Sequence, residues 1–184
     1  MTKNIGVLVG SLRKGSYSKQ VAKVFSTLFP EEYHISFIDI NGLDIYNQDF
    51  DDEGNVPENW KTFRNAIGKM DAILFVTPEY NRSVPGVLKN ALDIGSRPAG
   101  SSVWNAKPAA IVSVSPGAIS GFGANHHLRQ SLVFLNMPTV QQPEAYIGNV
   151  TKLLQEDGSI TNPNTLQFFQ SIVNAFVELI EKNS

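Results

Sequence analysis

The stretch NIGVLVGSLRKGSYSK, residues 4–19, joins an apolar run to a polar loop that is rich in glycine and serine. The apolar half is suited to a strand that is buried on both faces. The loop leads into a segment, from about Ser18 to Phe29, in which apolar residues recur at helical spacing. A buried strand, a glycine-containing loop and a helix in this order are typical of the first unit of a parallel α/β sheet.

Strand-like and helix-like segments alternate along the rest of the chain. The predicted strands cover residues 4–10, 33–40, 71–77 and 108–115, with a fifth strand within 139–147. Helices are predicted at 18–29, at 57–70, behind Pro85, at about 125–136 and near the C-terminus, while 41–56 reads as a polar, turn-rich connection. Because parallel strands need crossover connections, we predict an α/β protein with a doubly wound five-stranded parallel sheet. We expect residues 1–184 to form a single domain.

Composition and charge limit the functions open to such a chain. Its 184 residues include 15 Lys plus Arg and 17 Asp plus Glu, which gives a formal net charge of -2. This balance provides no attraction to a phosphate backbone, so we expect no nucleic-acid partner. The chain has no cysteine, no start typical of a signal peptide, and no apolar stretch near the ~20 residues that cross a bilayer. We therefore expect a cytoplasmic protein with no membrane partner.

The loop at 10–19 follows the first strand, and ligands of open parallel sheets bind beyond the carboxyl ends of strands. The N–H groups at the start of the next helix favour a phosphate. Ser11, Ser16 and Ser18 add hydroxyl groups, and Arg13 offers a guanidinium fork. The loop lacks the Lys-Ser/Thr pair of a Walker A motif, and the chain has no G-x-G-x-x-G dinucleotide pattern. On its own, the loop is explained equally well as a polar turn with a serine cap.

Two further polar loops follow predicted strands. TPEYNRSVPG, residues 77–86, places Glu79, Tyr80 and Asn81 between prolines, and an aromatic ring beside amides suits a flat heterocycle. Taken singly, Tyr80 more commonly covers a core and Asn81 more commonly forms an Asx-turn. The other loop, residues 113–123, is rich in glycine and serine. Because the carboxyl ends of parallel strands share one edge, all three loops are expected to converge there.

GSLRKGSYS, residues 10–18, and PEYNRSVPGVLKNALD, residues 78–93, together resemble the NADPH-dependent FMN reductase family, which includes quinone, azo and chromate reductases. The resemblance covers most of the chain, since SPGAISGFGANHHLRQ (115–130) and the C-terminal helix follow in the expected order. It implies a flavodoxin-like fold, a three-layer α/β/α sandwich. It also implies FMN as cofactor and NADPH or NADH as reductant. A hydride would pass from the nicotinamide to FMN, and two electrons would then pass to a quinone, azo compound or similar small-molecule acceptor.

The family pattern also implies the residues of the site. The FMN phosphate would be held by the first loop, through its side chains and backbone: Ser11, Leu12, Arg13, Ser16, Tyr17 and Ser18. The isoalloxazine ring would be lined by Pro78, Glu79, Tyr80 and Asn81, with Ser115 and Gly117 on its other side. Ser18 stands where many relatives carry asparagine, but a hydroxyl can still donate. No side chain is assigned as a catalyst, because the flavin carries the hydride transfer.

Three other features are better explained without a ligand. The acidic run at 49–54 resembles the start of a calcium loop, but Trp60 occupies the last ligand position, so a solvated acidic loop is predicted. His126 and His127 lack metal-ligand spacing, which favours surface or interface positions. Trp60 fits a core position at helical spacing, while a place beside Phe50 at a subunit interface stays open.

The resemblance implies a homodimer or a homotetramer, and the sequence does not choose between them. It also leaves open the physiological acceptor and the preference for NADPH or NADH. Two other functions share the fold and cofactor. A flavodoxin-type electron carrier usually has a strong acidic charge, unlike this chain, and a flavin-sensing regulatory module would bind a protein partner. Consumption of NADPH in the presence of a quinone separates an enzyme from both.

Overall fold

A five-stranded parallel sheet forms the centre of the computed structural model, which describes residues 2–183. Its strands are β1 (Lys3–Val9), β2 (Tyr33–Phe37), β3 (Ala72–Thr77), β4 (Ala109–Val114) and β5 (Ala145–Ile147). Their spatial order is β2-β1-β3-β4-β5, so the winding direction reverses between β1 and β3. Ligands of this topology bind at the carboxyl ends of the strands beside that reversal. The predicted doubly wound, flavodoxin-like sheet is confirmed.

Helices cover both faces of the sheet. In chain order they are α1 (Tyr17–Ser26), α2 (Asp49–Asp52), α3 (Glu58–Gly68), α4 (Gly86–Gly95), α5 (Phe122–Phe134) and α6 (Pro163–Lys182), with a 3₁₀ turn at Val150–Lys152. Helices α1 and α6 pack on one face, where the rings of Phe25 and Phe169 stack with centroids 4.4 Å apart. Helices α3, α4 and α5 pack on the other face. The predicted three-layer α/β/α sandwich is therefore confirmed.

Burial follows the sequence pattern closely in the centre of the fold. All six residues of β3 are buried, as expected for a strand covered on both faces. Trp60 of α3 is fully buried, and its indole N–H donates to the carbonyl oxygen of Asp44 at 3.1 Å. The predicted core position of Trp60 is confirmed, and its side chain is not available to a subunit interface.

Two helices have one boundary that differs from the prediction by three residues. Helix α1 ends at Ser26 instead of about residue 29, because the hydroxyls of Ser26 and Thr27 donate to carbonyls of its last turn at 2.7 and 2.8 Å. Helix α5 begins at Phe122 instead of about residue 125, since Gly121 takes a left-handed φ of 72° that sets the start of the helix. Helix α6 confirms the helix predicted near the C-terminus, and its buried residues are Phe169, Ile172, Val173, Phe176 and Ile180.

The acidic connection before α3 contains the short helix α2, which the sequence did not predict. Asp51 of α2 forms a two-point ion pair with Arg64 of α3, with Oδ1–Nη1 at 2.7 Å and Oδ2–Nη2 at 2.8 Å. The side chain of Asp51 is only 4% exposed. The prediction of a solvated acidic loop is therefore wrong for Asp51, although Asp49 and Asp52 are exposed.

Candidate functional site

The loop between β1 and α1 ends in a serine-capped helix start. The Oγ of Ser16 accepts a hydrogen bond from the backbone N–H of Lys19 at 3.1 Å, which makes Ser16 the N-cap of α1. Ser16 and Ser18 are each 2% exposed, and both line a cavity. The hydroxyl proton of Ser16 can still donate, and N–H groups of a first helical turn have no partner within the helix. The start of α1 is therefore rich in donors.

Arg13 folds back over this loop. One guanidinium nitrogen, Nη2, donates to the carbonyl oxygen of Gly15 at 2.6 Å, and the guanidinium lies 5.0 Å from the centre of the Tyr17 ring. Both Arg13 and Tyr17 line the cavity, whereas Leu12 is half exposed outside its lining. A cation thus lies close to the positive end of the α1 dipole, where an anion would be stabilised.

The loop after β3 forms a second wall. Pro78, Glu79 and Tyr80 line the cavity, and the Tyr80 side chain is 50% exposed. Two backbone hydrogen bonds, at 3.1 and 3.0 Å, join Tyr80 to Ser83 across a tight turn. The central residues of that turn have φ of 50° at Asn81 and 64° at Arg82, the left-handed geometry of a two-residue hairpin turn. Asn81 therefore lies at the tip of the turn and does not line the cavity.

The loop after β4 closes the third side. The Oγ of Ser115 accepts a hydrogen bond from the N–H of Gly117 at 3.0 Å, and the backbone N–H of Ser115 donates to Ile147 at 2.8 Å. Val114 and Pro116 also line the cavity, and the sequence reasoning missed both. As the last residue of β4, Val114 reaches the carboxyl edge of the sheet by position alone, so a strand boundary is the signal that could have found it.

The three loops enclose a cavity of about 360 Å³, within the usual range for small-molecule sites. The predicted residues that line it are Ser11, Arg13, Ser16, Tyr17, Ser18, Pro78, Glu79, Tyr80 and Ser115. Leu12, Asn81 and Gly117 lie in the same loops but outside the lining. Buried hydroxyls, a guanidinium and an exposed aromatic ring suit a ligand that joins an anionic group to a flat ring.

A larger cavity, of about 650 Å³, lies between α4 and α5 and is lined largely by helix side chains such as Leu92, His127 and Phe134. It does not lie at the carboxyl ends of β1 and β3. The position of the smaller cavity at the winding reversal, together with its donors, favours the smaller cavity as the cofactor site.

The two adjacent histidines lie outside the smaller cavity. Nε2 of His126 is 2.8 Å from the hydroxyl of Tyr146, and Nδ1 of His127 is 2.9 Å from the Oγ of Ser83. Both histidines are exposed, which confirms the predicted surface positions. Within residues 2–183, no three His, Asp or Glu side chains come together in a way that could hold a metal ion. In the same range, no helix is both long and apolar enough to cross a membrane.

Known proteins resemble this chain over nearly its whole length. A model of the NADPH-dependent FMN reductase family matches residues 3–152. A quinone reductase of Pseudomonas putida is 53% identical over 180 residues, which cover 98% of this chain and 96% of the relative. A 2-hydroxy-1,4-benzoquinone reductase of a Burkholderia species is 43% identical over 176 residues, which cover 96% and 95% of the two chains.

A solved structure extends the similarity to three dimensions. The flavoenzyme NAD(P)H:(acceptor) oxidoreductase FerB of Paracoccus denitrificans has a TM-score of 0.92 to this chain and 38% sequence identity, with 99% of each chain covered. The family match and these relatives confirm the predicted enzyme class, an FMN-dependent NAD(P)H oxidoreductase, and FMN as its cofactor. Because the family match spans most of the chain and the relatives align end to end, this chain belongs to the NADPH-dependent FMN reductase family.

Proposed function

We propose that this chain reduces quinones with NAD(P)H, using FMN bound in the cavity of about 360 Å³ at the carboxyl edge of the sheet. The observation that carries the proposal is the convergence of Arg13, Ser16 and Ser18 with the exposed ring of Tyr80 on one cavity. The first three groups suit a phosphate, and the aromatic ring suits a heterocycle. The two kinds of group meet beside the winding reversal between β1 and β3.

The residues present suit FMN in charge and in the hydrogen-bond donors that they offer. Ser16 and Ser18 are almost fully buried, so their hydroxyls favour a bound acceptor such as a phosphate oxygen. Arg13 is held over the same loop by its bond to Gly15. We assign the phosphate to Ser11, Leu12, Arg13, Ser16, Tyr17 and Ser18, including the backbone. We assign the ring to Pro78, Glu79 and Tyr80 on one side and to Ser115 on the other. Asn81 and Gly117, which lie outside the cavity lining, would contribute by shaping the backbone of the same two loops.

The chain contributes binding and orientation, and we assign no side chain as a general acid or base. The chemistry that FMN supplies when bound is acceptance of a hydride from reduced nicotinamide and delivery of two electrons to the acceptor. Tyr80 and Ser115 would limit where a flat substrate can lie against the ring. Two relatives are named as reductases of a quinone or a benzoquinone, which supports quinones as the acceptors of this chain.

The test uses the purified chain, first without added cofactor and then loaded with FMN. We expect a flavin absorption band, bleaching of that band by NADPH or NADH without oxygen, and recovery after addition of a benzoquinone. An azo dye in place of the quinone tests the breadth of acceptors. Flavin-loaded protein that neither nicotinamide bleaches would contradict an enzyme and favour the electron carrier or the flavin-sensing module. Bleaching that only an azo dye reverses would overturn the quinone assignment.

Arg13→Ala tests the phosphate assignment. Loss of a charge-assisted contact should raise the Kd for FMN by about ten- to a hundredfold. Lys23→Ala is the control, because it removes the same charge from the exposed far end of α1. We expect the control to bind FMN with nearly unchanged affinity, and equal weakening by both variants would show that only net charge matters. Titration of the apoprotein with FMN, followed by quenching of flavin fluorescence, gives both constants.

The predicted homodimer or homotetramer also remains a proposal, supported by an apolar surface on α5. Val133 and Phe134 are 73% and 89% exposed, and Phe134 borders two adjoining cavities. Adjacent apolar side chains this exposed are typical of an interaction surface, and a second copy of the chain is the occupant that we propose. Light scattering after size-exclusion chromatography should give a smaller molar mass for Phe134→Asp than for the unmodified chain. Phe168→Asp, on α6 across the sheet, should leave the mass unchanged.

The predicted cytoplasmic location is likewise a proposal, and it is supported by the use of NAD(P)H, which the cytoplasm supplies. Cell fractionation with detection of the chain checks it, and recovery in a membrane or extracellular fraction would contradict it.

A further inference from the structure

The turn that carries Tyr80 lies directly on the N-terminus of α5. The Oε2 atom of Glu79 accepts a hydrogen bond from the backbone N–H of Ala124 at 3.1 Å, and Oε1 accepts one from Nη1 of Arg82 at 3.0 Å. The Glu79 side chain is only 11% exposed. Both oxygens of this carboxylate are therefore engaged by the protein itself.

Helix α5 has no cap from its own sequence. Its N-cap position is Gly121, which has no side chain, and Ala124 is the third residue of the helix. Side-chain oxygens that cap helices normally accept from this third N–H group. Glu79 does so from 45 positions earlier in the chain, and its negative charge also lies at the positive end of the helix dipole. A residue in the loop after β3 therefore caps α5, the helix that follows the loop after β4.

The fit between the turn and the helix leaves no room for a side chain at Gly123. A Cβ atom added there would lie 2.7 Å from the carbonyl oxygen of Arg82 and 2.9 Å from Oε2 of Glu79. One turn further along α5, Nδ1 of His127 is 2.9 Å from the Oγ of Ser83. The turn is therefore fastened to α5 at both of its ends, with glycine at the closest approach.

This contact joins two walls of the smaller cavity. Tyr80 follows Glu79 directly, and the loop that holds Ser115 leads into α5. We propose that Glu79 is a positioning residue: its carboxylate fixes the Tyr80 turn against α5 and thereby sets the spacing of the two walls that hold the flavin ring. The proposal rests on the proposed function of this cavity. It goes beyond the place beside the ring that the family resemblance implies for Glu79, because the carboxylate is engaged by Ala124 and Arg82 and acts by holding the turn in place.

Two substitutions of Glu79 separate these roles. Glu79→Gln keeps an oxygen that can accept from Ala124, whereas Glu79→Ala removes it. We expect Glu79→Ala to raise the Kd for FMN by about tenfold or more and to change the shape of the bound flavin's visible band. We expect Glu79→Gln to restore most of the affinity and the band shape. If Glu79→Gln is as impaired as Glu79→Ala, an oxygen that accepts from Ala124 does not set the cavity walls, and the positioning role through this bond is overturned.

Gly123→Ala tests the same contact from the helix side, without changing any group that lines the cavity. Alanine favours a helix more than glycine does, so a loss of flavin affinity must come from the clash with the turn. We expect the Kd for FMN to rise and the visible band to shift in the direction seen for Glu79→Ala. Gly86→Ala is the matched control, because Gly86 also lies in the first turn of a helix and a Cβ there meets nothing within 4 Å.

FMN binding by the wild-type protein and by the variants distinguishes failure of the positioning role from failure of the proposed function. Wild-type protein that does not bind FMN contradicts the proposed function itself. If wild-type protein binds FMN while Glu79→Ala and Gly123→Ala bind it with the same affinity and spectrum, only the positioning role fails. Gly123→Ala also keeps the test open if Glu79→Ala does not fold.

Discussion

Gly10 and Thr77 lie so close together at the carboxyl ends of β1 and β3 that a Cβ atom added at Gly10 would be 2.6 Å from the Oγ1 of Thr77. The same Oγ1 donates to the carbonyl oxygen of Pro78 at 2.8 Å, at the base of the second loop. Gly10→Ala should therefore lower the free energy of unfolding by about 1–3 kcal/mol through overpacking and should also weaken FMN binding. Urea unfolding and FMN titration measure the two effects.

Gly15→Ala is the control for that change, because it adds the same methyl group within the same loop. A Cβ at Gly15 meets nothing within 4 Å, so the free energy of unfolding should change by less than about 0.5 kcal/mol. If both variants unfold at the same urea concentration as the unmodified chain, the close approach of Gly10 to Thr77 does not constrain the fold.

The ion pair between Asp51 and Arg64 should be important for stability, because the two side chains are only 4% and 13% exposed. Asp51→Asn leaves the Arg64 guanidinium without a counter-ion, although its Nε still donates to the carbonyl oxygen of Ile94, and should lower the free energy of unfolding by about 3 kcal/mol. Glu178→Gln breaks a pair whose side chains are about two-thirds exposed, at 66% and 68%, and should leave the free energy of unfolding nearly unchanged, because solvent screens the pair. Equal effects in urea unfolding would contradict this difference between the pairs.

The fold was predictable because its core follows short-range patterns. The six buried residues of β3 are contiguous in sequence, and the buried residues of α6, such as Phe169, Ile172 and Phe176, recur at helical spacing. Helix α2 escaped prediction because it lies in a polar segment, and its packing depends on Asp51 meeting Arg64 of the next helix. A contact of this kind leaves no periodic signal in either segment.

The candidate site was predictable at the level of loops but not of side-chain direction. Three polar loops after β1, β3 and β4 had to meet, because the carboxyl ends of parallel strands share an edge. The sequence did not show that the Glu79 carboxylate points to Ala124, since that bond depends on how the turn packs against α5. It also did not show that Leu12 and Gly117 lie outside the cavity lining.

Tyr46 offers a change that should stabilise the protein. Its ring stacks on Trp60 with centroids 5.3 Å apart, but its hydroxyl is buried and, among the residues that the structure describes, has no hydrogen-bond partner. Tyr46→Phe keeps the stacked ring and removes an unsatisfied polar group, so the free energy of unfolding should rise by about 1 kcal/mol. Tyr33→Phe should instead lower it, because the Tyr33 hydroxyl bonds to Glu181 at 2.6 Å. A decrease for Tyr46→Phe would mean that its hydroxyl is satisfied.

Tyr146 should make stability depend on pH in the alkaline range. Burial, and then the nearby Glu144 carboxylate, raise the pKa of Tyr146 from 10.0 to about 12. The folded state therefore keeps this proton at a pH where the unfolded state loses it, so the stabilisation is complete below pH 10 and declines as pH rises to about 12. In Tyr146→Phe, the free energy of unfolding measured in urea should decline less steeply above pH 10. An absorbance titration of the tyrosines should also show one fewer phenolate forming at high pH. Parallel stability curves for the two proteins above pH 10 would contradict the shift.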